Sequence, residues 1–521
     1  MAISGSSITM TWLIEWARQS SLWRCRRESV LWQPSCAKCI YGCPAMLETL
    51  VSGMLESDTG AIEAPAGTGK TEQIARVASV VPGRWLVLTH TIAGRDAIRR
   101  RLERIGVSAK KAHVDTIAAW SYRWASAYPL ASGLVPAAGR HLDVWLDVYL
   151  AAAKLVRSGA VNSALTASYD GLLVDEYQDC SIAQHAILSA LRSILRCYIF
   201  GDPLQAIFRF NRGVASEEIV DWSAVLEEFP LHGRLQTPHR WNHANNPELG
   251  RWLLSIRETF SSGALDLQSA RHLPVRWIHC EEDAIARELA AHCRVRRPAG
   301  EVLAVIDVSQ APARRAELAK YIRGTTLEPV GSTSEMKFYE DVTRATGLDR
   351  VNTVLKFAAT VWQGVDASNK RKRVTSILNR PGRAANPPSE VELALCAVAQ
   401  NTEILLVLDA LEAVGREEKT RVVRPELLAS VRSTLEMLAS NPEVDMAEAC
   451  WEVANRRRQM GRTVRDNAVG STLLLKGLEF DHAVITPGAC STACDWYVAL
   501  TRATRSVRVL SPSPILDFRS A

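Results

Sequence analysis

The sequence predicts an α/β fold made of two parallel-sheet domains with helical insertions. Three observations carry this. Short apolar runs end in Gly-rich or acidic turns and are followed by helical periodicity, that unit recurs on both sides of residue 240, and two Leu/Ala/Glu-rich stretches interrupt the series. Short strands alternating with helices build parallel sheets, which present functional groups at the carboxyl ends of the strands. At 521 residues with 47% hydrophobic residues, the chain exceeds what one core supports, since single cores stop growing at roughly 250–300 residues.

In chain order, residues 1–44 form a Cys-containing segment with Cys25, Cys36, Cys39 and Cys43. Four thiolates could close a tetrahedral zinc shell or hold an iron–sulfur cluster, but the spacing matches no standard finger, and an unstructured leader or misassigned start codon explains it equally well. Residues 45–240 read as the first domain, with strands expected at Ala61–Ile62, Trp85–Thr89, Leu172–Val174 and Cys197–Phe200. A helical insertion at about 120–167 separates two of them. Residues 241–351 and 466–521 read as the second domain, with strands at Val275–His279, Val302–Asp307, Ala483–Thr486 and Val507–Leu510. Between them, 352–465 reads as a helical accessory insertion broken by Pro381, Pro387 and Pro388.

Composition narrows the class. With 62 Lys+Arg against 56 Asp+Glu, the net charge of +6 is too small to argue for nucleic acid by itself. Its distribution says more: Arg95, Arg99, Arg100, Arg101 and Arg104 share one helical stretch, and Lys370–Arg373 and Arg456–Arg458 form runs, the last continued by Arg462 and Arg465. Such clusters suit a phosphate backbone or are solvated helix faces. Apolar stretches such as Ile404–Leu408 fall well short of the roughly 20 residues that cross a bilayer. Ile8–Trp16 is broken by Glu15 and lacks a basic lead, so export is not expected. Scattered single cysteines fit a reducing, cytoplasmic setting without membrane association.

Two clusters carry chemistry. Ala64-Pro65-Ala66-Gly67-Thr68-Gly69-Lys70-Thr71 is a phosphate-binding loop between a strand and a helix, with Ala64 replacing the first glycine of the common pattern. Backbone N–H groups and the helix N-terminus would cradle phosphate oxygens, Lys70 would neutralise them, and Thr71 would ligate magnesium. Asp175-Glu176-Tyr177-Gln178-Asp179 follows the strand Leu172–Val174. There Asp175 would hold magnesium and Glu176 would polarise the water attacking the γ-phosphate.

These residues carry a resemblance. Ala64–Thr71 (APAGTGKT), Asp175–Asp179 (DEYQD), Gly201–Phe210 (GDPLQAIFRF), Ser471–Asp481 (STLLLKGLEFD) and Tyr497–Ala503 (YVALTRA) stand in the order seen in UvrD-like superfamily 1 helicases, and the chain resembles that family over about residues 60–510. The resemblance implies two RecA-like domains of the P-loop NTPase type. It implies a motor that uses Mg-ATP to move 3′ to 5′ on single-stranded DNA and to separate strands at duplex junctions. It implies Gln205, beside Asp202, as the γ-phosphate sensor, Arg240 and Arg502 as the arginines that reach the γ-phosphate, and Glu479 as a ribose ligand. DNA contacts are implied at His90, Trp120, Phe208, Phe210 and Thr472, with Lys476 near DNA or the cleft.

Several positions depart from the family pattern. His239 stands where a tyrosine stacks on the base, Glu72 where an arginine often completes that sandwich, Leu473 where many relatives have histidine, and Cys43–Val51 lacks the glutamine that reads adenine. Asn211 offsets Arg212 from its usual place. ATP selectivity is therefore less constrained than hydrolysis. A competing reading is an ATP-driven translocase or sensor subunit of a repair or phage-defence complex, one that does not unwind. A nucleotide-dependent binding module without catalysis fits less well, because every hydrolytic position carries a competent residue. RNA as the track stays open, since stacking and backbone contacts do not identify the 2′-hydroxyl.

Overall fold

The computed structural model describes residues 53, 56–134, 144–207, 219–281, 284–293, 297–329, 331–380, 386–441, 443–459, 462, 464 and 466–518. The four clustered cysteines, Phe208, Phe210 and Arg212 lie outside the described residues.

Six strands form the first sheet: β1 (Thr59–Glu63), β2 (Trp85–Thr89), β3 (Ala112–Thr116), β4 (Gly171–Val174), β5 (Arg196–Gly201) and β6 (Leu231–Arg234). Their order is β3-β2-β4-β5-β1-β6, with every pairing parallel. β2 and β4 are buried throughout, as their unbroken WLVLT and GLLV runs require of strands covered on both faces. β3 and β6 were not expected. β3 reads AHVDT, whose His113 and Asp115 interrupt the apolar run, and the mostly exposed LHGR of β6 lies at the sheet edge.

A second six-stranded sheet contains β7 (Val275–His279), β8 (Leu303–Ile306), β9 (Thr325–Thr326), β10 (Ala468–Gly470), β11 (Phe480–Ile485) and β12 (Ala503–Ser511), in the order β9-β10-β8-β11-β12-β7, again parallel throughout. The molecule thus has two RecA-like α/β domains. The short β9 and β10 carry too little sequence to show a period.

Among the described residues of the first insertion, helices at Ile117–Ala127, Pro129–Ser132, Val144–Arg157 and Asn162–Ser168 share a core with β2, β4 and β5. The second insertion begins earlier than residue 352. Its helices start at Thr333–Arg344, and Phe338 stacks on Phe357 of the Gly347–Val361 helix at 4.0 Å between ring centres. A continuous core runs from Phe338 to Cys450, and the last helix, Met446–Gln459, ends before residue 465. Among the described residues no helix is long and apolar enough to cross a membrane.

Candidate active site

The site lies at the carboxyl ends of the first sheet's strands. β1 delivers the phosphate loop, whose turn needs left-handed backbone at Gly67 (φ 72°) and Gly69 (φ 81°), where a side chain would be strained. Space is equally tight. A Cβ on Gly67 would stand 2.5 Å from the Trp241 ring, and one on Gly69 would stand 3.2 Å from the His239 ring. Ala64 donates its N–H to the Gly201 carbonyl at 2.8 Å, and Thr68 folds its hydroxyl back onto the Pro65 carbonyl at 2.7 Å. Lys70 and Thr71 then open the helix that runs to Val80.

β4 delivers the acids. Lys70 Nζ lies 3.1 Å from Asp175 and 2.5 Å from Glu176. Burial works to lower the lysine's pKa, but attraction to Asp175 and Glu176 outweighs it and raises it. Burial pushes Asp175 up against the pull of Lys70. For Glu176, burial acts upward too, yet Lys70 and Lys476 prevail and hold it at about 2. Glu176 also takes a left-handed backbone (φ 56°), uncommon for a side chain of its size, and such outliers cluster at functional sites. Gln178 fixes its carboxylate, donating Nε2 to Glu176 Oε2 at 2.6 Å while accepting the Asp202 N–H at 3.0 Å.

β5 delivers Asp202 and Gln205. Gln205 donates its side-chain amide to Asp202 Oδ2 at 2.8 Å, and its backbone carbonyl accepts from Lys476 Nζ at 2.5 Å. Lys476 comes from the second domain and pairs with Asp179 at 2.6 Å. Burial pushes the Asp179 carboxyl up to about 6, against the opposing pull of Lys476.

Arg240 bridges the two domains. Its N–H donates to the Gly67 carbonyl at 3.0 Å, while its guanidinium donates to the Thr501 carbonyl at 2.9 Å and pairs with Glu479 at 2.7 Å. Its Nε is buried without a hydrogen-bond partner. Arg502 is fully buried and donates to the Val498 and Leu478 carbonyls and to the Thr501 hydroxyl. Burial, reinforced by Arg240, lowers its pKa to about 9, so it remains a cation at neutral pH. His239 packs over Gly69, 6.3 Å from the His243 ring. Burial, then His243 and Arg76, lower its pKa. Glu72 is held by Arg76 at 3.1 Å and by Arg101, so two arginines gather where the sequence shows an acid.

The expected nucleic-acid residues divide. His90 lies beside the acids, its Nε2 3.5 Å from Cys180 Sγ. Burial lowers its pKa to about 4, with Glu176 drawing it up and Lys476 and Lys70 pressing it down, so the imidazole is neutral. Trp120 requires correction: it is wholly buried in the core of the first insertion against Trp124, and no ring face is open to a base. Thr472 is also buried, and its hydroxyl donates to Asp495 at 2.8 Å. The basic runs are largely spent internally. Arg99 donates to the Val114 carbonyl, and Arg101, Lys370, Arg373, Arg456, Arg457 and Arg462 pair with carboxylates.

Sequence reasoning missed Arg257. It is buried between Glu63 (2.6 Å) and Asp202 (2.8 Å) and donates to the Tyr497 hydroxyl at 2.6 Å. Nothing in the surrounding helical stretch distinguishes it from a surface arginine.

Among the described residues no group of three or more His, Cys, Asp or Glu side chains is placed to hold a metal. The donor set does fit a magnesium ion carried in on a nucleotide, because Thr71 and Asp175 offer the hard oxygen ligands that ion takes while the phosphates and water complete its shell.

A family model described as the UvrD/REP helicase N-terminal domain matches residues 137–220, the segment that contains Asp175–Asp179 and Gly201–Gln205. No curated protein matches significantly. Among solved structures, one described as "Crystal structure of Arterivirus nonstructural protein 10 (helicase)" aligns at 10% identity over 89% of this chain and 61% of that one, with a TM-score of 0.29. Residues 137–220 are thus similar to the UvrD/REP helicase N-terminal domain, with the match falling on the acid pair, and the ordered motif blocks that resemble UvrD-like superfamily 1 helicases stand on two parallel sheets.

Proposed function

We propose that the chain is an ATP-driven motor that moves 3′ to 5′ on single-stranded DNA and couples hydrolysis to strand separation. The observation that carries this is Lys70, held by ion pairs to both Asp175 and Glu176 in the cleft that Arg240 and Lys476 bridge. An ammonium beside two carboxylates offers a magnesium–triphosphate a partner for each of its charges, the ammonium for phosphate oxygens and a carboxylate for the metal. Lys70 would then pair with phosphate oxygens, and Asp175 would hold the metal. When bound, Mg-ATP supplies the reactive γ-phosphoryl group and the ion that shields its charge. The N–H groups of the Ala64–Thr71 loop bind phosphate, and Thr71 and Asp175 hold the metal. Glu176, kept ionised, accepts the proton of the attacking water. Gln205 and Arg240 sense the γ-phosphate across the cleft, with Arg502 behind them.

Breaking and remaking the contacts between the domains would then move the strand. His239 beside Glu72 and Arg76 is an unusual base pocket, so comparable turnover of ATP and GTP is expected. The test is hydrolysis of the four ribonucleotides with single-stranded DNA, duplex and RNA, run beside strand displacement. Stimulation by single-stranded DNA with displacement supports the motor. Hydrolysis without displacement supports a translocase or sensor in its place, and stimulation by RNA alone reassigns the track.

A further inference from the structure

Arg257 lies outside all five motif blocks, yet its guanidinium makes four hydrogen bonds in the cleft. It follows the Pro247–Ser255 helix, whose Leu249 and Leu253 pack with Trp241 in the second domain's core. From there its guanidinium, 8% exposed, reaches into the first domain. One terminal nitrogen, Nη2, donates to Glu63 at the end of β1 (2.6 Å) and to Asp202 Oδ1 (2.8 Å). The other, Nη1, donates to Asp202 Oδ2 (3.2 Å) and to the Tyr497 hydroxyl (2.6 Å). Asp202 Oδ2 also accepts the Gln205 amide at 2.8 Å and the Ala66 N–H of the phosphate loop at 3.1 Å; that same N–H lies 3.2 Å from the Tyr497 hydroxyl.

One guanidinium therefore ties together the loop that takes phosphate, the carboxylate that restrains the sensing amide, and the Ala493–Leu500 helix of the other domain. Stability alone is a poor explanation. Apolar residues of similar volume serve as well as a buried ion pair, whereas a planar fork with fixed donors specifies which groups lie where. We infer that Arg257 is a positioning residue that transmits the state of the phosphate loop and Gln205 to the second domain, so that hydrolysis answers to the nucleic acid. When Gln205 turns its amide from Asp202 toward a γ-phosphate, Asp202 relies more on Arg257, and the Tyr497 helix is drawn against the loop. The inference rests on the nucleotide reading above.

The test uses the full chain and two mild variants. Arg257→Lys keeps the charge but loses the fork, and Tyr497→Phe removes one hydroxyl without stranding a charge. Affinity for a fluorescent ATP analogue, turnover with and without single-stranded DNA, and Tm are measured for each. Expected are analogue affinities within about threefold of wild type, turnover lower by about tenfold, and loss of DNA stimulation, with the smaller effect in Tyr497→Phe. Arg257→Met should be worse than Arg257→Lys on turnover. Wild-type turnover and stimulation in both mild variants, or losses that merely follow Tm and affinity, overturn the inference alone. A wild-type chain that neither binds nor hydrolyses nucleotide overturns the proposed function and this inference with it.

Discussion

The ion pairs of Lys70 with Asp175 and Glu176 set the chemistry at the residue scale. Glu176→Gln removes the proposed proton acceptor while keeping shape, so nucleotide binding should persist and turnover should fall by about 10²–10⁴-fold in a steady-state assay. Asp179 gives a pH prediction. Its ordinary value is 3.8, and burial raises it to about 6 in spite of Lys476. A carboxyl whose folded pKa exceeds its unfolded one binds its proton more tightly when folded, so its stabilising contribution is present below the lower value and is lost as pH rises through the higher. Urea unfolding should show a loss of up to about 3 kcal/mol from this group between pH 4 and 6. Asp179→Asn should remove that slope, and an unchanged slope assigns it elsewhere. Most of these residues were legible in the sequence because phosphate and magnesium chemistry fixes residue types at fixed spacing. Arg257 was not, since a buried and an exposed arginine look alike until the chain brings Glu63 and Asp202 around it.

At the scale of elements, the phosphate loop depends on contacts that only the fold supplies. Gly67→Ala meets both a left-handed backbone and the Trp241 ring 2.5 Å away. The backbone cost alone, about 1–2 kcal/mol, corresponds to roughly tenfold in nucleotide affinity, measurable by titration. Trp120 makes the opposite case. Its ring is wholly buried, so Trp120→Ala should cost about 3–5 kcal/mol of stability, read by denaturation, while the folded fraction keeps its affinity for single-stranded DNA. Weakened DNA binding at full stability would return Trp120 to the nucleic-acid surface. Strands buried on both faces, such as β2, were readable as apolar runs. β3 and β6 were hidden by polar residues, and the start of the second insertion by a Thr333–Arg344 helix rich in charged side chains.

Across the whole molecule, two parallel sheets meet through specific links that include Lys476 to Asp179, Arg240 to Glu479 and the loop, and Arg257 to Glu63 and Asp202. Each joins a group at the carboxyl end of the first sheet to the second domain, as the proposed nucleotide-gated cleft requires. Sequence order alone foretold that two sheets would carry the motif blocks, but which side chains would cross the cleft depended on their packing. The most direct measurement is steady-state ATP hydrolysis by the wild-type chain and by Lys70→Ala and Glu176→Gln, with and without single-stranded DNA. Hydrolysis that single-stranded DNA stimulates in the wild type and that both substitutions abolish is the expected result. Undiminished hydrolysis in either variant, or a wild-type rate indifferent to nucleic acid, would contradict the assignment of a nucleic-acid motor.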